Sequence, residues 1–167
     1  AAEIRERGGS FTGVALDVAD VSGFAALIAD TAAEYGRLDV LVNNAPSVIG
    51  GMVATQTIEQ WRANFGVSVE SVFIGVQAAM KVMQAQGFGS IINVSSIWGL
   101  AGVPNSFAYQ AAKGAILNIS KNVAATHGPD GIRCNSLHPG YILSPMNEHQ
   151  APEINEALIA GTVLKRP

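Results

Sequence analysis

The chain has 167 residues, 49% of them hydrophobic and 14% charged, enough for one domain with a core and too few to expect two. Ten Lys and Arg against 13 Asp and Glu give a net charge of −3 and no basic footprint, which argues against nucleic acid as a partner. A single cysteine, Cys134, excludes an internal disulfide and suits a reducing compartment, and no uninterrupted apolar run is long enough to cross a bilayer, so the expected place is the cytoplasm.

In chain order, "FTGVALDV" (11 to 18) is β-rich and ends at a carboxylate, which predicts a strand. Phe24, Leu27, Ile28 and Tyr35 recur at helical spacing after the cap candidate Asp20, with Gly36 to close the helix. "DVLVNNA" (39 to 45) is a short apolar run, as in a strand buried on both faces. Thr57 and Gln60 form a capping box that opens a helix through about Met83. "GSIINVSS" (89 to 96) is a strand, the Ala-rich stretch from about 106 to 127 a helix ended by "HGPDG", and "IRCNSLHPG" (132 to 140) a strand ending in a Pro-Gly turn. Glu153 and Glu156 read as a solvated helix face.

Strands alternate with helices four times, which predicts an open, doubly wound parallel sheet with helices on both faces. Ligands bind such sheets beyond the carboxyl ends of the strands. That rule selects Asp17-Val18, Asn43-Asn44-Ala45, Ser95-Ser96 and Pro139-Gly140 as rim positions. Tyr109 and Lys113, four residues apart, share one face of the helix after Ser96. A tyrosine is too weak an acid to act as a base at neutral pH, but a nearby ammonium favours its phenolate. With a serine hydroxyl to hold an alcohol or carbonyl oxygen, this makes a proton shuttle for oxidation and reduction at carbon, the hydride needing a cofactor.

These residues resemble the short-chain dehydrogenase/reductase (SDR) family. The likeness rests on Ser96, twelve intervening residues, Tyr109, three residues and Lys113, together with "NNA" at 43 to 45, "DV" at 17 to 18, "GSIINVSS", "IRCNSLHPGYILSPM" and "LKRP". The resemblance implies a Rossmann-like fold and an NAD(P)-dependent alcohol dehydrogenase or ketoreductase interconverting a secondary alcohol and a ketone. It implies Tyr109 as acid/base, Lys113 as its electrostatic partner and a ligand of the nicotinamide ribose, and Ser96 as the residue that orients substrate. Asp17 and Val18 would border the adenine, Asn43 and Ala45 the cofactor cleft, Pro139, Gly140 and Ile142 the nicotinamide, and Ser144 its carboxamide. It also implies a homo-oligomer, dimer or tetramer, built on the helices at about 58 to 83 and 106 to 127.

Structural readings stand beside the functional ones. Asn43 and Asn44 serve either to pin strand ends and loops or to touch the cofactor, and Asp17 is either a turn residue or a rim contact. Trp98 and Tyr141 pack near loops or touch substrate; with Val48, Ile49 and Met146 they form an apolar lining that leans toward hydrophobic alcohols and ring ketones. Cys134 reads as a buried structural thiol, and His127, His138 and His149 lack metal-ligand spacing.

The chain departs from the family at three points. No G-x-x-x-G-x-G turn is present, and the reading is of a partial domain over 1 to 167 that lacks the family's first two strands and its last and is inactive alone, with the NAD-versus-NADP determinant before residue 1. The family's catalytic asparagine falls on Ser68, a shorter hydrogen-bonding side chain, while Asn64 is one turn too early. Pro46 stands where a glycine usually follows "NNA". A non-catalytic binding or oligomer-forming module on the same fold is the alternative.

Overall fold

The computed structural model describes residues 2–45, 47–144, 147 and 150–167. Pro46, Met146 and His149 lie outside the described residues. Three parallel strands, β1 (Val40–Asn43), β2 (Gly89–Val94) and β3 (Ile132–Leu137), form one sheet in the order β1-β2-β3. Leu41 is opposite Ile91, and Ile91 opposite Cys134, so one pleat face carries the apolar residues of all three strands.

The helices are α1 (Ala2–Glu6), α2 (Val21–Tyr35), α3 (Ile58–Phe65), α4 (Ser71–Gln86), α5 (Phe107–His127) and α6 (Pro152–Ala160). Asp20 caps α2 by accepting from the Gly23 N–H at 3.0 Å, and Gly36 ends it in the left-handed conformation at φ 71°. The Thr57 and Gln60 capping box opens α3.

Ile28 of α2, Val72, Val76, Ala79 and Met83 of α4, and Ile116 and Val123 of α5 form one core with Leu41, Ile91, Ile132 and Cys134. These three helices therefore share one face of the sheet, the face on which right-handed crossovers place them. The expected cover on both faces is corrected: Val40, Val42, Arg133, Asn135 and Leu137, which point the other way, are exposed.

The strand expected over 11 to 18 does not form. Residues 9–17 are irregular and mostly exposed, because no strand lies alongside to take up their backbone N–H and C=O groups. The helix expected from 57 to 83 is continuous to Gln86 but is interrupted by a π turn at Gly66–Glu70, where the Ser71 N–H reaches the Gly66 carbonyl. The Ser71 hydroxyl donates to the Val67 carbonyl beside it.

Ile58–Gln86 spans 29 residues with a window hydropathy of 1.3, long and apolar enough to cross a bilayer by length and composition. The sequence expectation is corrected on that count, since a helix can average apolar while polar residues interrupt its run. Its row of Val72, Val76, Ala79 and Met83 is buried against the sheet, the pattern of a core helix.

Candidate active site

The carboxyl ends of the three strands deliver the rim. Asn44-Ala45 follow β1, Ser95-Ser96 follow β2 and His138-Pro139-Gly140 follow β3. Past the sheet, the Ser95 N–H donates to Leu137 O at 2.7 Å and the Ile97 N–H to Pro139 O at 3.0 Å, holding two of these segments side by side.

Beneath the rim a buried polar network fixes the strands to α5. Asn43 Nδ2 donates to Asn93 Oδ1 at 2.8 Å, and Asn93 Nδ2 donates to Ser120 Oγ at 3.0 Å and approaches Cys134 Sγ at 3.5 Å. Ser120 donates on to Ile116 O at 2.8 Å. Buried amides of this kind hold register because each lost partner leaves an unsatisfied group. The Asn43 side chain is thus occupied in the core, the strand-pinning half of its reading, and Cys134 is a buried thiol whose pKa burial pushes up.

Ser96 is buried with an extended backbone, and its Oγ accepts from the Trp98 N–H at 3.1 Å, capping the 3-10 turn Ile97–Gly99. That contact leaves its hydroxyl hydrogen and a second lone pair for a ligand. Three bonds staple this stretch to α5: Lys113 Nζ to Val94 O at 2.8 Å, Ser95 Oγ to Lys113 O at 2.8 Å, and Gln110 Nε2 to Ala101 O at 2.6 Å. The approach is tight enough to require Gly99. A Cβ there would lie 2.7 Å from Ser95 Oγ and 2.8 Å from Lys113 O.

Tyr109 is half-buried on α5, and Lys113 Nζ lies 5.7 Å from its ring centroid. Lys113 is only 5% exposed, and among the described residues it pairs with no carboxylate. Burial pulls its pKa down to about 8, so near neutral pH it remains mostly an ammonium with two further donors to offer.

Ser68 lies in the π turn, 2% exposed, and its hydroxyl has no partner among the described residues. Asn64 is fully buried, donates to Ile49 O at 3.2 Å and leaves Oδ1 without a partner. Two unsatisfied polar atoms so close in sequence call for water or a ligand group. Asp17 accepts from the Ala19 N–H at 2.9 Å in a turn at the exposed rim, and Val18 is half-buried. Ala45, Gly140 and Ile142 are exposed, while Trp98, Pro139, Tyr141 and Ser144 are half-buried. Met146 lies outside the described residues, so the lining set is described at Val48, Ile49, Trp98 and Tyr141 only.

The sequence reading missed His138 altogether as a site residue. Its ring bridges Ser96 O and Ser136 Oγ, each at 2.9 Å. Its place directly before Pro139-Gly140 was the available signal.

A family model described as "short chain dehydrogenase" matches residues 1–155. Cyclopentanol dehydrogenase from Comamonas testosteroni is 40% identical over 99% of this chain and 67% of its own length. A 3-alpha-(or 20-beta)-hydroxysteroid dehydrogenase from Mycobacterium tuberculosis is 39% identical over 81% of this chain and 52% of its own. Among solved structures, a gluconate 5-dehydrogenase from Burkholderia cenocepacia J2315 in complex with NADP and tartrate superposes with a TM-score of 0.91, at 30% identity, over 99% of this chain and 66% of that one. The chain thus spans about two thirds or less of the length of these relatives. Over that length the sheet order, the Ser96, Tyr109 and Lys113 spacing and the family match agree, and the chain belongs to the short-chain dehydrogenase family.

Proposed function

We propose that this chain carries the proton-transfer half of an NAD(P)-dependent oxidoreductase that interconverts a secondary alcohol and its ketone. The observation that carries this reading is the buried ammonium of Lys113, held by Val94 O beside Tyr109 and stapled to the Ser96 segment. Burying a lysine without a carboxylate is costly, and packing alone does not call for it.

In this reading the substrate oxygen hydrogen-bonds Ser96 Oγ and the Tyr109 hydroxyl. Tyr109 takes the alcohol proton in oxidation and returns it in reduction. The Lys113 charge offsets the negative charge left on the phenol oxygen as the proton moves. The spare donors of Lys113 suit ribose hydroxyls, and the rim at Gly140, where a Cβ would meet nothing within 4 Å, leaves room for a flat ring. Pro139, Gly140, Ile142 and Ser144 would hold the nicotinamide end, Ala45 and the Asn43 main chain the cleft, and Asp17 and Val18 the adenine. When bound, the nicotinamide accepts or returns the hydride. Ser68 is the outlet of the proton toward water.

Ring alcohols are the substrate class favoured, on the names of the cyclopentanol and hydroxysteroid relatives and the apolar Val48, Ile49, Trp98 and Tyr141. The test is the full gene product with cyclic and open-chain secondary alcohols and NAD or NADP, followed by nicotinamide absorbance. Reduction with cyclic alcohols at the higher kcat/KM is expected; no reduction with any member of the panel refutes the activity.

The same reading carries a homo-oligomer. α4 and α5 enclose an open groove of about 620 Å³ that includes Phe73, Val76, Met80, Ile119 and Val123, with Phe73 54% exposed. A second copy of the same two helices is a self-complementary occupant. Light scattering should give a dimer or tetramer, and a monomer at micromolar concentration refutes it.

A further inference from the structure

His138 is the one titratable side chain tied to the Ser96 backbone that the proton path does not use. It is the first residue past β3, and both ring nitrogens are engaged: Nδ1 with Ser96 O and Nε2 with Ser136 Oγ, each at 2.9 Å. A carbonyl oxygen only accepts, so Nδ1 carries the hydrogen. In the neutral ring Nε2 is then the acceptor and the Ser136 hydroxyl its donor.

The position explains why a side chain is used. The main chains of the two segments still pair around this point, through Ser95 N–H to Leu137 O and Ile97 N–H to Pro139 O. Pro139 has no N–H with which to continue the ladder in the other direction. The imidazole of the preceding residue supplies a donor to the carbonyl between those two bonds. Ser96 is then held on its carbonyl side by His138 and on its hydroxyl side by the Trp98 N–H.

We propose that His138, kept in the Nδ1–H form by Ser136, is a positioning residue that fixes the Ser96 hydroxyl relative to Tyr109. This rests on the reading of Ser96 as the group that orients substrate. The hydroxyl must be placed to within a fraction of an ångström to act on a substrate oxygen, and displacement by about 1 Å can cost roughly a hundredfold in rate.

Two replacements separate positioning from bulk. An asparagine puts its amide nitrogen near the place of Nδ1, whereas a glutamine puts it near Nε2. In the full gene product, His138→Asn should hold kcat within about threefold of the parent, while His138→Ala and His138→Gln should lower it by roughly ten- to a hundredfold with cofactor KM little changed. Thermal midpoints of all three are recorded alongside. A kcat order that follows thermal stability instead of donor position overturns the proposal, as does full activity in His138→Ala.

A second measurement does not depend on turnover. In uniformly ¹⁵N-labelled protein, the His138 ring should show a protonated Nδ1 and an unprotonated Nε2, with the preference weakened in Ser136→Ala. The reverse pattern overturns the clamp whatever the kinetics. A parent inactive toward every secondary alcohol defeats the proposed function and with it the kinetic role, while the ring spectrum still decides whether the clamp exists.

Discussion

Replacing Lys113 by methionine keeps the length of the side chain and removes a buried charge, and the effect on stability carries a pH signature. The ammonium is 5% exposed and donates to Val94 O at 2.8 Å, and burial lowers its pKa from 10.5 to about 8. The folded value lies below the unfolded one. Below about pH 8 both states hold the proton and the cost of burying the charge is fully present. Between about 8 and 10.5 the unfolded chain still binds a proton that the folded chain has released, so stability rises with pH across that window. The size of the displacement corresponds to about 3 kcal/mol. Lys113→Met lacks this contribution, so the parent should gain about 3 kcal/mol on the variant as pH is raised from 7 to 10.5. The variant also leaves Val94 O without its donor, a loss of about 1 to 3 kcal/mol that shifts the whole difference and not its slope. Urea unfolding of both proteins across that range measures the slope directly. A stability difference that stays flat with pH would refute the desolvated ammonium, and with it the observation on which the function rests.

Tyr109→Phe should abolish turnover and leave nicotinamide binding close to the parent, since the ring still packs on α5; more than a few per cent of the parent rate rules out the acid/base role. Ser68→Asn should raise kcat by roughly a few-fold if the unpartnered hydroxyl marks a weakened proton outlet, and a lowered kcat in a variant of unchanged stability counts against it. Asn64→Ala should destabilise by about 1 to 3 kcal/mol, because Ile49 O loses its donor inside the protein, as read from urea midpoints. Gly99→Val should cut kcat by at least about tenfold by forcing the Ser96 turn away from α5, and a fully active variant shows that the close approach is not needed.

What could be read from the sequence was what local chemistry decides. The Thr57 and Gln60 box, the Asp20 cap, the apolar strand at 40 to 43 and the long Ala-rich helix bearing Tyr109 and Lys113 all stand where their residues predict. The segment at 11 to 18 has as strong a β pattern but no strand, since pairing is a property of a neighbour and not of the segment. Tyr109, Lys113 and Ser96 announced themselves by spacing; the depth of Lys113 and the Asn43, Asn93, Ser120 and Cys134 network did not, because each depends on contacts across many residues. His138 was read only against metal spacing, and its link to Ser96 joins residues 42 apart.

The π turn at 66 to 70 bears on how this chain tolerates changes of length. One residue more than an α turn rotates everything after it by about 100° relative to what precedes it. Trp61 and Asn64 are therefore set on one phase, toward Phe107 and Ile49, while Val72, Val76, Ala79 and Met83 are set on another, toward the sheet. Point substitutions within the turn leave that phase untouched. Deleting any single residue from it would restore a plain α-helix and swing one of the two sets away from its partner. In descent the segment is free to vary in letters but not in number, and a gap placed there in a comparison of relatives would mark a change of geometry where an ordinary loop gap marks none.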